Sequence, residues 1–198
     1  MSAEKQPYHH GDLRETLLVA AERALEELPL QEVTLREIAR RAGVSHAAPK
    51  HHFNSLGALL AEVAARGYVK FYDTIEGAAL RSTDQSPQAR LTAMIREYLR
   101  FATNSPGIYG LMFGKREHAV ATTPNLAKVM FAAWDQLETQ VAAVIGPAQA
   151  PLGATTVWSA VHGLAMLRLD RKLPPQINAE MALEAMTRTL VAGLRAEA

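Results

Sequence analysis

The chain has 198 residues, 48% of them hydrophobic and 21% charged, the composition of a folded globular protein rather than a disordered or fibrous one. Lysine and arginine number 21 against 20 acidic residues, and the net charge of +1 gives no global attraction to nucleic acid or to a membrane surface. Any such contact has to come from a local patch. No cysteine is present, which excludes a disulfide scaffold, thiolate metal sites, iron–sulfur clusters and thiol redox sensing.

The opening MSAEKQPYHHGDLRETL lacks the apolar run of a signal peptide, so a cytoplasmic protein is expected. Leu13, Leu17, Ala20, Ala21, Ala24, Leu25 and Leu28 follow at steps of three and four, which predicts an amphipathic first helix. Asp12 with Glu15 reads as its N-cap pair and Pro29 as its exit. Further helices are predicted at about 34–41, 45–52, 55–80, 87–103, 107–113, 124–146, 154–172 and 178–196. Ser86-Pro87, Ser105-Pro106-Gly107, Thr123-Pro124, Gly146-Pro147 and Pro174-Pro175 punctuate the breaks. From Thr139 to Leu167 no residue is charged, yet Gly146, Pro147, Pro151 and Gly153 interrupt the stretch. A membrane span needs about 20 unbroken apolar residues, so this stretch is the end of one buried helix, a turn, and the start of another. No run alternates with the period of a strand. The expected fold is all-α, a small N-terminal module feeding a larger bundle.

Residues 33–53, VTLREIARRAGVSHAAPKHHF, carry the most chemistry. Thr34 and Glu37 have the spacing of a reciprocal capping box, with Val33 and Ile38 as the matching hydrophobic staple. Gly43 stands where a helix exit wants a left-handed residue. Ser45 is then expected to cap a second helix, and small Ala39 lets the two cross closely. Pro49 in that second helix removes one N–H that would bond back to Ser45. Two short helices joined by a glycine turn make a helix-turn-helix. Within 34–53 four basic residues (Arg36, Arg40, Arg41 and Lys50) face one acid, Glu37, and His46, His51 and His52 add donors. Residues 1–33 hold three basic residues against seven acids. Positive charge is thus concentrated on the reading unit, as phosphate attraction requires.

TLREIARRAGVSHAAPKHHF resembles the DNA-binding module of TetR-type transcriptional regulators, and the preceding GDLRETLLVAAERALEE and following NSLGALLAEVAARGY extend the likeness. VWSAVHGLAML at 157–167 resembles the Trp…His-Gly segment of one C-terminal ligand-binding and dimerisation class in that family. The resemblance implies a three-helix DNA-binding domain over 1–55 and a helical ligand-binding and dimerisation domain over 56–198. It further implies a homodimer on an inverted-repeat operator in double-stranded DNA, acting as a repressor released by a small molecule. Thr34 matches the cap that grips a phosphate, in accord with the affinity of helix N-termini for anions. Ser45, His46 and Ala47 match the start of the recognition helix, where base edges are read. Ala47 and Ala48 suit close approach to the groove equally well as plain helix formers. Lys50 departs from the family's usual tyrosine, exchanging aromatic packing on a phosphate for a point charge. With Arg36 and His51 these residues complete the expected DNA-binding set. The departures at Lys50 and at Leu56-Gly57, where a lysine is common, leave an alternative: a ligand-binding helical protein that no longer uses DNA.

Past residue 97 the chain is rich in aromatics. Tyr98, Phe101, Phe113, Met130, Trp134, Trp158 and His162 form the expected effector pocket, because cavities for small molecules combine aromatic and flexible apolar walls with a few polar groups. Asp135 and Glu117 are further polar handles. Each residue taken singly suits an ordinary core; the set suits a mainly hydrophobic effector. Apolar faces on the last two helices, with small Ala182, Ala185 and Gly193, suit a four-helix seam between two subunits. His9-His10 and His51-His52 come without a Cys or carboxylate cluster, so neither a metal site nor a cofactor is expected. No nucleophile–base pair, phosphate loop or paired-carboxylate motif is present, and no enzymatic activity is expected.

Overall fold

The computed structural model describes residues 10–114 and 123–196. Among them no strand occurs. The helices are α1 His10–Glu27, α2 Leu35–Arg41, α3 Leu56–Leu80, α4 Pro87–Asn104, α5 Pro106–Phe113, α6 Pro124–Ile145, α7 Ala150–Leu169 and α8 Ala179–Ala196. Two 3-10 segments, Leu30–Glu32 and Ala48–His51, interrupt the N-terminal third. No described helix is long and apolar enough to cross a membrane. Two compact units emerge, one of Met1–Gly67 with Gly107–Leu126, the other of Tyr68–Pro106 with Ala127–Ala198.

In the first unit α1 buries Leu17, Leu18, Ala21, Ala24 and Leu25 and packs against α2, which buries Ile38 and Ala39, while α3 buries Leu59, Leu60 and Val63. Each fully buried Leu or Ile contributes about 1.5–3 kcal/mol. The helix begins at His10, so Asp12 lies within its first turn and is not the N-cap. His9 of the His9-His10 pair lies outside the described residues. Arg66 bridges Glu15 at 2.8 Å and Glu22 at 2.9 Å, and Arg14 pairs with Glu62. The Arg14 guanidinium also sits 5.3 Å from the centre of the Phe53 ring, a cation–π contact. α5 docks by absence of side chains: a Cβ on Gly107 would overlap the Leu25 carbonyl, and one on Gly67 would come within 2.8 Å of Ile108.

In the second unit Ser86 caps α4, accepting the Ala89 N–H at 3.3 Å, with Pro87 in the first turn where its missing N–H costs nothing. α4 turns Leu91, Met94, Ile95, Tyr98 and Ala102 inward, against Ala154, Val157, Val161 and Ala165 of α7. The turn expected around Gly146–Gly153 is shorter than the sequence suggested. It spans residues 146–149 with Gly146 at φ +85°, and α7 starts at Ala150 with Pro151 in its first turn. Gly153 is a packing residue, since a Cβ there would lie 2.7 Å from Ile145 and 2.9 Å from Val141. At the other end α7 stops at Leu169, short of the expected 172. Arg171 takes φ 56°, the Arg171 N–H bonds the Arg168 carbonyl and the Lys172 N–H bonds that of Leu167, a Schellman closure with arginine at the position glycine usually fills.

Candidate nucleic-acid interface

Thr34, with extended backbone, caps α2 and accepts the Glu37 N–H at 3.1 Å. The reciprocal half of the expected capping box does not form. Glu37 instead accepts from Arg40 at 2.8 and 2.7 Å and from Arg41 at 2.7 Å. Two guanidiniums one turn away outcompete a backbone N–H, because they bring full positive charge to the carboxylate and Arg40 engages both of its oxygens at once. They hold the Glu37 carboxyl down at about 2. Arg41 reaches on to Glu27 at the end of α1, 2.6 Å away, so this half-buried arginine ties α2 to α1. Arg36 and Lys50 enter no ion pair among the described residues.

The turn follows expectation at its pivot. Gly43 has φ +69°, its N–H bonds the Arg40 carbonyl at 3.2 Å and the Val44 N–H bonds that of Ala39 at 3.0 Å, again a Schellman closure. The second helix differs from expectation. Residues 45–52 are not α-helical; Ala48–His51 is a 3-10 segment. Pro49 has no N–H to give the Ser45 carbonyl, which the Ala48 N–H takes at 3.0 Å, and the Lys50 N–H closes on Ala47 at 3.2 Å. Ser45 makes no side-chain cap; the serine that caps is Ser55, accepting the Ala58 N–H at the start of α3. Val33, Ile38, Ala39, Pro49 and Phe53 are buried beneath this surface, and Thr34, Arg36, Ser45, His46, Ala47, Lys50 and His51 are all exposed. Among the described residues no group of three His, Cys, Asp or Glu is placed to hold a metal.

In the second unit the expected pocket residues are partly assembled. The Tyr98 hydroxyl lies 3.2 Å from His162 Nδ1, the His162 ring 6.1 Å from Trp158, and Trp158 edge-on to Trp134 at 6.1 Å. Burial lowers the pKa of His162. Phe101 is held by Phe71, which meets both Tyr98 and Phe101 edge-on at 5.2 Å. Met130 lies half-buried on α6. Phe113 belongs to the first unit, 4.9 Å from Tyr109. Asp135 is exposed, and Glu117 lies outside the described residues. A groove of 530 Å³ in the first unit, walled by Glu15, Arg23, Glu27 and Arg41, is chemically unlike the apolar cavity expected for an effector.

Residues 17–63 match the N-terminal domain model of bacterial regulatory proteins of the tetR family, and residues 91–190 match the tetracyclin repressor-like C-terminal domain. The chain belongs to the TetR family. A protein of unknown function from Rhodococcus sp. RHA1 is 32% identical and superposes with a TM-score of 0.83, covering 96% of this chain and 100% of that one. The fatty acid degradation regulator FadR of Bacillus halodurans superposes at 0.71 with 14% identity, over 98% and 99% of the two chains. A TetR family transcription regulator from Marinobacter aquaeolei VT8 does so at 0.65 with 17% identity, over 92% and 95%. The last two likenesses bear on the fold alone. No curated protein matches the sequence.

Sequence reasoning missed three parts of this TetR-family chain's candidate sites. Glu27 joins the reading unit through Arg41, 14 positions on, a pairing with no local signature. Phe71 joins the aromatic cluster from α3 and is equally silent in sequence. Glu138, which accepts the Trp134 Nε1–H at 2.8 Å, lies one helical turn away and was legible from i,i+4 spacing.

Proposed function

We propose that this TetR-family DNA-binding regulator is a homodimeric repressor, released from an inverted-repeat operator by a small, mainly hydrophobic effector. One observation carries the reading of the DNA surface. The residues expected to touch DNA (Thr34, Arg36, Ser45, His46, Ala47, Lys50 and His51) are exposed on the cap and first turn of α2, the turn after it and the 3-10 segment, above a closed apolar floor. A dimer would set two such surfaces about 34 Å apart, one turn of duplex. Leu152 of α7 and Met181 of α8, 72% and 52% exposed, support a subunit seam on these helices.

For the effector, the support is the cluster Tyr98, Trp134, Trp158 and His162, apolar in the main with one hydrogen-bonded polar pair. α3 links the two roles: its Phe71 meets Tyr98 and Phe101, and the same continuous helix begins directly after the reading segment. An effector shifts DNA affinity only by preferring one arrangement of these elements over another.

Selection of bound duplexes from random DNA by the purified protein, at two salt concentrations, tests the proposal. Enrichment of an inverted repeat with affinity falling steeply as salt rises is the expected result. No enrichment at either salt, with and without cell metabolites, favours the alternative of a ligand-binding protein that has left DNA.

A further inference from the structure

The three arginines of α2 are in three different electrical states. Arg41, with 16% of its side chain exposed, is spent on Glu27 and Glu37. Arg36 is exposed and enters no ion pair among the described residues. Arg40 is the anomaly. Its side chain is 65% exposed, it lies four residues after Arg36 and so on the same helix face, yet Nε and Nη2 are both turned back to the two oxygens of Glu37, at 2.8 and 2.7 Å.

An exposed arginine next to a phosphate-binding surface gains attraction by bringing an uncompensated cation that displaces counterions from DNA. An arginine held in a two-point pair brings no net charge, and its carboxylate partner adds repulsion toward phosphate. Glu37 is the only acid within residues 34–53. It is not needed to end the helix, because the Thr34 hydroxyl already caps α2.

We infer that Glu37 limits the non-specific DNA affinity of this regulator, by gripping Arg40 so that one of the two exposed α2 cations is withheld from the phosphate backbone. The inference rests on the DNA-binding reading above and specifies how that surface is tuned. The consequence is a larger share of the binding free energy left to base-reading contacts. Glu37 acts through Arg40 and is a positioning residue.

The test measures binding to a duplex of scrambled sequence across a salt series for the wild type, Glu37→Gln, Arg40→Ala and the double variant. Glu37→Gln is expected to bind several-fold more tightly at low salt, with a log–log salt slope steeper by about 0.9, the value of one additional phosphate contact. Over a fourfold rise in salt that slope costs the variant about 3.5-fold more affinity than the wild type loses. Arg40→Ala alone is expected to keep the wild-type slope, and adding it to Glu37→Gln to abolish the gain. A merely structural role for Glu37 would weaken binding without steepening the slope. An unchanged or shallower slope in folded Glu37→Gln overturns the inference while leaving DNA binding intact. If that variant does not fold, Arg40→Ala decides, since a slope loss of about 0.9 means that Arg40 already serves phosphate. A wild type without salt-dependent affinity for any duplex overturns the DNA-binding reading itself, and this inference with it.

Discussion

The Tyr98 hydroxyl and His162 Nδ1 meet at 3.2 Å across 64 positions of chain, joining α4 to α7 inside the second unit. Burial disfavours the imidazolium, so the folded-state pKa of His162 lies below its ordinary 6.5. The unfolded chain then binds more protons in the interval between the two values, and stability rises with pH across it. The protein is expected to lose stability as pH falls below about 6.5, the loss levelling off once the folded-state histidine is itself protonated. Urea midpoints at about pH 7.5 and about pH 5.5 should differ less in His162→Asn than in the wild type. Tyr98→Phe keeps the aromatic packing, removes the hydroxyl and is expected to cost about 0.5–1.5 kcal/mol at neutral pH.

Glu37 has the opposite titration. Its carboxyl, ordinarily near 4.5, is pulled to about 2 by hydrogen bonds from Arg40 and Arg41. Its contribution is fully present above about pH 4.5 and is lost as pH falls from there through about 2. Glu37→Gln should therefore unfold at a urea midpoint closer to that of the wild type at pH 3 than at pH 7. A constant gap between the two proteins over this range would show that the carboxylate is not what the guanidiniums stabilise.

The helices were legible from periodicity, and so was the glycine pivot of the helix-turn-helix, because both are written locally. What was lost depended on partners. Gly153 looked like turn punctuation beside Gly146, yet it exists to let α6 and α7 approach. Only the positions of Ile145 and Val141, fixed by the tertiary fold, reveal that. Pro49 was correctly read as removing a bond to Ser45, but a single missing N–H proved enough to turn so short a helix into a 3-10 segment. Glu37 had the right spacing for a capping box and a stronger pair of competitors in the next turn. In the site, residue types and exposure were readable; pairings such as Glu27–Arg41 and Phe71–Tyr98 were not.

Gly43 and Gly107 are indispensable for different reasons, and substitutions separate them. At Gly43 a Cβ meets nothing within 4 Å, but φ is +69°. Gly43→Ala should cost about 1–2 kcal/mol through backbone strain alone, and Gly43→Asn should recover part of it, since Asn tolerates the left-handed region. At Gly107 a Cβ would overlap the Leu25 carbonyl. Both Ala and Asn there should cost about 1–3 kcal/mol, with Asn the worse. Equal rescue by Asn at the two positions, measured by denaturant unfolding, would contradict the steric account of Gly107.

His46 and Lys50 stand exposed on one short segment, yet they should fail differently on the selected operator. Lys50 offers a point charge without ring packing, so Lys50→Ala is expected to weaken binding to operator and scrambled duplex alike. Its salt slope should be shallower by about 0.9. His46 stands at the start of the reading segment, and a good base-edge contact is worth about 1–3 kcal/mol of discrimination against the wrong base. His46→Ala should flatten preference at one position of each half-site while leaving the salt slope nearly unchanged. Binding assays on operators varied one base pair at a time distinguish the two. If His46→Ala lowers affinity uniformly and Lys50→Ala changes base preference, their roles on DNA are exchanged, and the 3-10 segment enters the groove by its Lys50 end.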